Sequence, residues 1–404
     1  MISQQLIYRT LISLSTVLLL TGCQAALHDS TADVQSAVDA GGYVTFPAGI
    51  YLLTKTIVVS KNNTIIQGVG PETVFVFQPT LPQIHCANDR VFTTPCDVLT
   101  TVRRHILGPI AVGAESFVAA GDVSDVNPGD WLIIEEIDRK AGDVVNIDWA
   151  QVESVAGNSV GVQAPFRTAF PNVREWDPEF SGLGFYKIPQ LLEGLQLRNL
   201  KIVVPDSGQN AAGISVFAAL HTLIDNVTVQ NSHGQPLYSY ISKDLTILNS
   251  NGAGEQVLNE FAATVDLRLD NNSFSCDRGA GLGLDFGTAF FQVTRNLVPS
   301  SLNSGMYLLF GVHDGSITDN SISFVRISEA TGNQDFAVGL LARGTQRVQI
   351  IDNYLAGGAG ATSIGISIGP AYGLDSPIPS LGNTVFPNLF GSQWGTDYDP
   401  SNAP

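Results

Sequence analysis

Leu197-Arg198-Asn199, Ile224-Asp225-Asn226, Ile247-Leu248-Asn249, Leu269-Asp270-Asn271, Val293-Thr294-Arg295-Asn296, Ile317-Thr318-Asp319-Asn320 and Ile350-Ile351-Asp352-Asn353 punctuate the second half of the chain. Each is an apolar, alternating segment that ends in asparagine. Consecutive asparagines lie 27, 23, 22, 25, 24 and 33 residues apart. Alternating strands repeating at periods in the low twenties mean a solenoid, in which each coil buries its apolar face against the next. Asparagine tolerates the left-handed bend between two strands, and its amide can bond to the amide one coil away. These asparagines are therefore structural. The 33-residue period places one long loop at about 325–336.

The composition agrees. The chain has 404 residues, 44% of them hydrophobic and 14% charged, with 40 Gly and 20 Pro. Such a chain makes many short strands and turns rather than long surface helices. The formal net charge is −17, from 20 Lys+Arg against 37 Asp+Glu. Duplex nucleic acid needs a basic face, so it is excluded as a partner. A polyanionic substrate is disfavoured unless calcium screens it or the arginines cluster.

Working towards the N-terminus, Ser30-Thr31-Ala32-Asp33 has helix-capping chemistry, Val34, Ala37 and Val38 recur at helical spacing, and Gly41-Gly42 stops the helix. Alternating strands follow at 43–51, 57–59 and 64–68. A helix followed by strands suits an end cap over the open core of a solenoid. The order of amphipathic helix, Gly-Gly, Val44-Thr45-Phe46-Pro47-Ala48-Gly49-Ile50-Tyr51 and Ile66-Gln67-Gly68-Val69-Gly70 resembles the start of the pectate-lyase-like superfamily. That superfamily includes polygalacturonase-like and rhamnogalacturonase-like proteins and phage tailspikes. The resemblance covers about forty residues. It implies an all-β, right-handed single-stranded parallel β-helix and a polysaccharide partner, as a monomer or, if tailspike-like, a trimer. It does not select a reaction.

Before the cap, Arg9 precedes an apolar run from Leu11 to Leu20 and then Leu20-Thr21-Gly22-Cys23. The run has the length of a secretory signal rather than a membrane span. Leu-Thr-Gly-Cys resembles the bacterial lipobox, with Cys23 as the acylated residue. Gln24 then favours the outer membrane. A plain signal peptide containing Cys23 is the alternative. Export permits a disulfide between Cys86 and Cys96, ten residues apart, leaving Cys276 as a buried thiol.

The expected organisation is a signal peptide at 1–22, cap and first coils at 23–104, a β-rich insertion at 105–170, β-helix at 171–369 and a loose Pro/Gly-rich tail at 370–404. Ala156-Gly157-Asn158-Ser159 marks a hairpin in the insertion, whose Glu135, Glu136, Asp138, Asp143 and Asp148 read as acidic loops. Trp176, Phe180, Phe185 and Tyr186 read either as a sugar-stacking platform or as aromatics packed onto the barrel.

Counting back eleven positions from each asparagine gives an outward strand column containing Ser215, Tyr238, Glu260 and Asp285. Glu260 and Asp285 would then lie directly opposite one another on neighbouring coils, with backbones ~4.8 Å apart. Like charges so placed are unfavourable unless used. They could serve as acid and base of a glycosidase, as calcium ligands, or as solvated carboxylates. Tyr238 and Tyr240 read as a sugar subsite or as a shield for the sheet. His233 and Asp277-Arg278 occupy turns feeding the same column and could flank a bound chain, with Arg278 orienting a carboxylate or hydroxyl. His313-Asp314, with Arg326, Glu329 and Asp335, forms a second cluster. Of the elements that polygalacturonases carry, only His233-Gly234 is present. Three functions are compatible with these residues. They are a glycoside hydrolase using Glu260 and Asp285, a polysaccharide lyase using His233, Arg278 and a calcium ion, and a non-catalytic glycan-binding surface protein.

Overall fold

The computed structural model describes residues 28–79, 90–95, 102–140, 143–177, 181–205, 211–302, 304–323, 325–326, 338–357, 360–371, 374, 377–391 and 394–399. The expected features at Cys23, Cys86, Cys96, Phe180, Glu329 and Asp335 lie outside them.

The chain winds as a right-handed parallel β-helix of three sheets. The repeated apolar residue of the sequence motif stacks in register. Leu197 pairs with Ile224, then come Ile247, Leu269, Val293, Ile317 and Ile350. None is more than 1% exposed. This column belongs to the second sheet. The first sheet runs through Arg90–Thr93, Ala212–Phe217, residues 237–240, residues 259–262, Leu282–Asp285, Ser304–Leu309, Val338–Arg343 and Gly360–Gly369. The third includes Asn251–Gly254, Ser273–Cys276 and Leu297–Val298. One continuous core fills the interior, with Phe75, Phe92, Phe261, Phe274 and Phe291 among its largest side chains.

The helix Thr31–Ala40 closes the N-terminal end, burying Val34 and Val38. Its cap differs from the expected one. Asp29, not Ser30, accepts from the Thr31 N–H and hydroxyl, at 3.0 and 2.6 Å. Gly41, at φ 70°, ends the helix and donates its N–H to Val38.

The asparagines divide between two columns. Asn199, Asn226, Asn249 and Asn271 are left-handed corners with φ of 51–56°, a place taken in later coils by Arg295, Asp319 and Asp352. Asn272, Asn296, Asn320 and Asn353 instead point inward and form a buried ladder, which the half-buried Asn388 continues. The Asn320 carboxamide nitrogen donates to Val293 O, Thr318 O and Asn353 Oδ1 at 2.8, 3.0 and 2.9 Å, while its oxygen accepts from Asn296. Asn388 extends the ladder into the segment expected to be a loose tail. There Leu389–Phe390 and Trp394–Asp399 pair in parallel with the preceding coil, so the segment adds a coil.

Between the first-sheet strand Arg90–Thr93 and the second sheet the chain departs into a closed six-stranded barrel. Its strands are Arg104–Leu107, Ser116–Ala119, Trp131–Asp138, Asp143–Ala156, Ser159–Val162 and Gly182–Lys187, so the insertion runs past residue 170. The barrel has its own core around Phe117, Leu132, Phe170 and Phe185. Glu135, Glu136, Asp138 and Asp148 are not loop residues as expected. They sit on strands, at most 3% exposed. A buried carboxylate requires a partner. Arg103 reaches Glu135 at 2.9 Å, and Arg174 reaches Glu136 and Asp138 at 3.2 and 3.0 Å.

The barrel docks on the corner between the first and second sheets. Ile133, Val144, Ile147 and Trp149 pack against Ala218, Ile241, Ala263 and Val265. Two glycines admit it. A Cβ on Gly287 would lie 2.9 Å from Asn146 N, and one on Gly311 would lie 2.0 Å from Val145 O.

Candidate functional site

Glu260 and Asp285 share the outer face of the first sheet, but not the expected register. Glu260 lies opposite Gly283, and Asp285 opposite Ala262. The asparagine ruler slips by two at this coil for two reasons. Asn271 is a left-handed corner, whereas Asn296 belongs to the inner ladder and follows its own corner, Arg295, by one residue. One more residue also enters the turn after Asp285, where Phe286 and Gly287 are both left-handed. A displacement of two preserves the side of the sheet. One coil and two residues of offset put the two Cα atoms roughly 8 Å apart.

Gly283 decides what fills the gap. A Cβ there would meet Tyr307 Cζ at 2.6 Å and Leu258 Cδ1 at 2.5 Å. The Tyr307 ring therefore lies across the glycine, from the next coil towards Glu260. Burial, then the nearby charges of Glu260 and Asp285, push the Tyr307 phenol well above its usual range and hold it neutral. Gln235 donates to Glu260 Oε2 at 3.3 Å. Asp285 is 4% exposed, and its Oδ1 accepts from the Phe286 N–H at 2.9 Å. Tyr238 completes the group, its ring edge-on to Phe217 at 5.6 Å. Arg90 sits over both rings, at 4.6 Å from Phe217 and 5.3 Å from Tyr238, and burial lowers its pKa to about 10.

The remaining expected residues are distributed differently. Tyr240 packs into the barrel interface and is no sugar platform. His233 is buried, with Nε2 3.3 Å from Glu255, because its turn folds inward. Asp277 and Arg278 are exposed on the turn after Ser273–Cys276. Trp176 stacks on His105 at 4.4 Å and lies under Arg103, and Phe185 is in the barrel core, so these aromatics pack rather than present a platform. Cys276 is buried. Among the described residues no three His, Cys, Asp or Glu side chains converge as a metal site, and calcium wants several carboxylate oxygens.

A column the sequence reading missed lies beside the barrel. His221, Asp244, Asp266, Phe290, Asp314 and Arg347 all have φ of 53–58°. Each precedes the left-handed corner of its own coil by five residues, so the signal was present once the corners were identified. Non-glycine residues in this region cost about 1–2 kcal/mol each. Against the barrel, Asp266, Phe290, Asp314 and Arg347 line two adjoining hollows of about 500 and 570 Å³ that share Phe290, Asp314 and Arg347. Arg347 grips Asp314 with two bonds of 2.6 Å, and His313 Nδ1 lies 2.8 Å from the same carboxylate. Burial acts to raise the Asp314 pKa, but Arg347 and His313 outweigh it and hold the group below the carboxylate range. Arg167, from the barrel, grips Asp266 at 2.8 and 2.7 Å and covers the Phe290 ring at 4.0 Å. Of the second expected cluster, His313 and Asp314 meet Asn146 and Arg347, which the sequence did not place with them.

No protein-family model matches the chain, and no curated protein matches it. Solved structures do. The tailspike gp61 of Pseudomonas phage phi297 is similar at TM-score 0.53 and 12% identity, covering 93% of this chain and 60% of that one. The enzymatically active domain of tailspike protein 2 from bacteriophage CBA120 is similar at TM-score 0.50 and 10% identity, covering 94% and 44%. The tailspike gp49 of Pseudomonas phage LKA1 gives 0.47 and 16%, covering 84% and 51%. At these identities the likeness is one of fold, and the chain spans less than two thirds of each tailspike.

Proposed function

We propose that this protein is a carbohydrate-active β-helix protein of pectate-lyase-like type that binds a polysaccharide on the outer face of its first sheet and hydrolyses it. Glu260 is the general acid, and Asp285 the base or nucleophile. One observation carries the reading: the two carboxyl side chains lie close to a half-buried, neutral phenol, Tyr307, laid over Gly283. A neighbouring carboxylate favours the protonated form of the first, which an acid catalyst needs, and itself accepts the proton of water or attacks the anomeric carbon. Glu260 gives its proton to the departing glycosidic oxygen. The Tyr307 hydroxyl can donate to a ring or hydroxyl oxygen held between them. The fold likeness supports the class, one of the similar tailspike domains being enzymatically active by its own description.

Lyase chemistry fits less well, since it needs a cation on the uronate carboxyl. His233 is engaged by Glu255, and Arg278 lies on an exposed turn. Screening on neutral glycans tests the reading. Glu260→Gln should lower turnover by about a thousandfold and leave glycan retention intact. Unchanged turnover removes it.

We also propose that the protein is exported and lipid-anchored at the bacterial envelope, at the outer membrane, through acylated Cys23 of the lipobox-like Leu20-Thr21-Gly22-Cys23. Among the described residues no helix is long and apolar enough to cross a membrane. In a bacterial host, Cys23→Ser should move the protein from the membrane to the soluble fraction. An unaltered distribution would refute the anchor.

A further inference from the structure

We infer that the cleft between barrel and β-helix is a second glycan site, independent of the Glu260–Asp285 pair, that takes a neutral sugar segment.

Charge decides the class of ligand. The titratable side chains lining the two hollows include three carboxylates, Glu136, Asp266 and Asp314, and three guanidiniums, Arg167, Arg174 and Arg347. They are paired with one another or with neighbours: Arg347 with Asp314, Arg167 with Asp266, and Arg174 with Glu136 and Asp138. An anionic group entering the cleft would meet cations already neutralised, within a chain of net charge −17. A neutral hydroxyl-rich ligand meets the opposite situation. Paired carboxylates keep lone pairs for hydroxyl donors, and guanidiniums present fixed forks.

Rigidity supports the same conclusion. Asp266, Phe290, Asp314 and Arg347 are each held in the left-handed region, on coils of a stacked sheet rather than on a mobile loop. The barrel wall is fixed to them by Arg167 on Asp266 and by Asn146, whose Oδ1 lies 3.2 Å from His313 Nε2. Polar side chains so ordered lose little entropy on binding. Gln292, Ser316 and Gln349 extend the floor as one outward row on three successive coils, spaced for a chain of sugars rather than a single one.

The test uses the full chain carrying Glu260→Trp, which stops turnover and also obstructs the outer face of the first sheet so that retention reports on the cleft, on an array of neutral polysaccharides (dextran, galactomannan, xyloglucan) and acidic ones (polygalacturonate, alginate, hyaluronan). Retention on at least one neutral glycan is expected, falling about tenfold or more in Asp314→Asn, which removes a charged acceptor. Ser316→Tyr fills the floor while leaving every ion pair in place, and should lose retention similarly. Should Asp314→Asn fail to fold, Ser316→Tyr decides alone. Retention on neutral glycans unaffected by Ser316→Tyr, retention confined to acidic glycans, or none at all would each overturn the inference. Loss of turnover in Glu260→Trp bears only on the other site.

Discussion

Tyr307 and Gly283 form a pair across one coil: the glycine has no side chain, so the ring can lie flat against the sheet and carry its hydroxyl to Glu260 and Asp285. A phenol held there must stay neutral. Its folded pKa is raised above the ordinary value of about 10 by burial and then by the two carboxylates. Above pH 10 the unfolded chain releases this proton and the folded chain does not, so its contribution to stability is complete below pH 10 and is lost as pH rises further. The loss approaches about 1.4 kcal/mol per pH unit for a single group. Denaturant unfolding between pH 9 and 11.5 should show this decline, reduced in Tyr307→Phe. Equal alkaline slopes for the two proteins would remove Tyr307 as its source.

At the scale of elements, two asparagine columns with one spacing do different physical work. Corner asparagines such as Asn226 relieve the strain of a left-handed turn, a task glycine performs equally well. Ladder asparagines such as Asn320 satisfy buried backbone carbonyls on neighbouring coils. Asn226→Gly should therefore change stability by less than about 1 kcal/mol. Asn320→Ala orphans several buried groups and should cost about 2–4 kcal/mol. Thermal and denaturant unfolding compare them directly, and similar costs would contradict the division of roles. The strands at 389–390 and 394–399 follow from the same ladder, because Asn388 offers its oxygen to the Asn353 N–H and prolongs the stack beyond the Pro-rich stretch.

For the molecule as a whole, the barrel matters more than its share of the chain suggests. It converts an open sheet corner into a cleft, and it can approach only because Gly287 and Gly311 lack side chains. Gly311→Ala would place a methyl group 2.0 Å from the Val145 carbonyl, at a backbone φ of 84°. Overpacking of this kind typically costs about 1–3 kcal/mol, and here it falls on the docking surface rather than on either core. The variant should retain β-helix signal by circular dichroism while the barrel becomes more sensitive to limited proteolysis. Unchanged cleavage would show that the barrel does not depend on this approach.

The solenoid was legible in the sequence because its cause is local and repeated: the same apolar residue and bend recur every coil, and the core exists only if those residues stack. The side of the sheet on which Glu260 and Asp285 lie was legible too, since strand alternation survives a slip of two. Their register was not, because one inserted residue at Gly287 and a change of role from Asn271 to Asn296 leave the repeat looking intact. Seating Tyr307 over Gly283, turning His233 inward and assembling a cleft from Arg167, Asp266, Asp314 and Arg347 depended on contacts between residues distant in the chain. Periodicity carries the winding of a β-helix, but only packing between separate coils and the docked barrel determines which side chains meet.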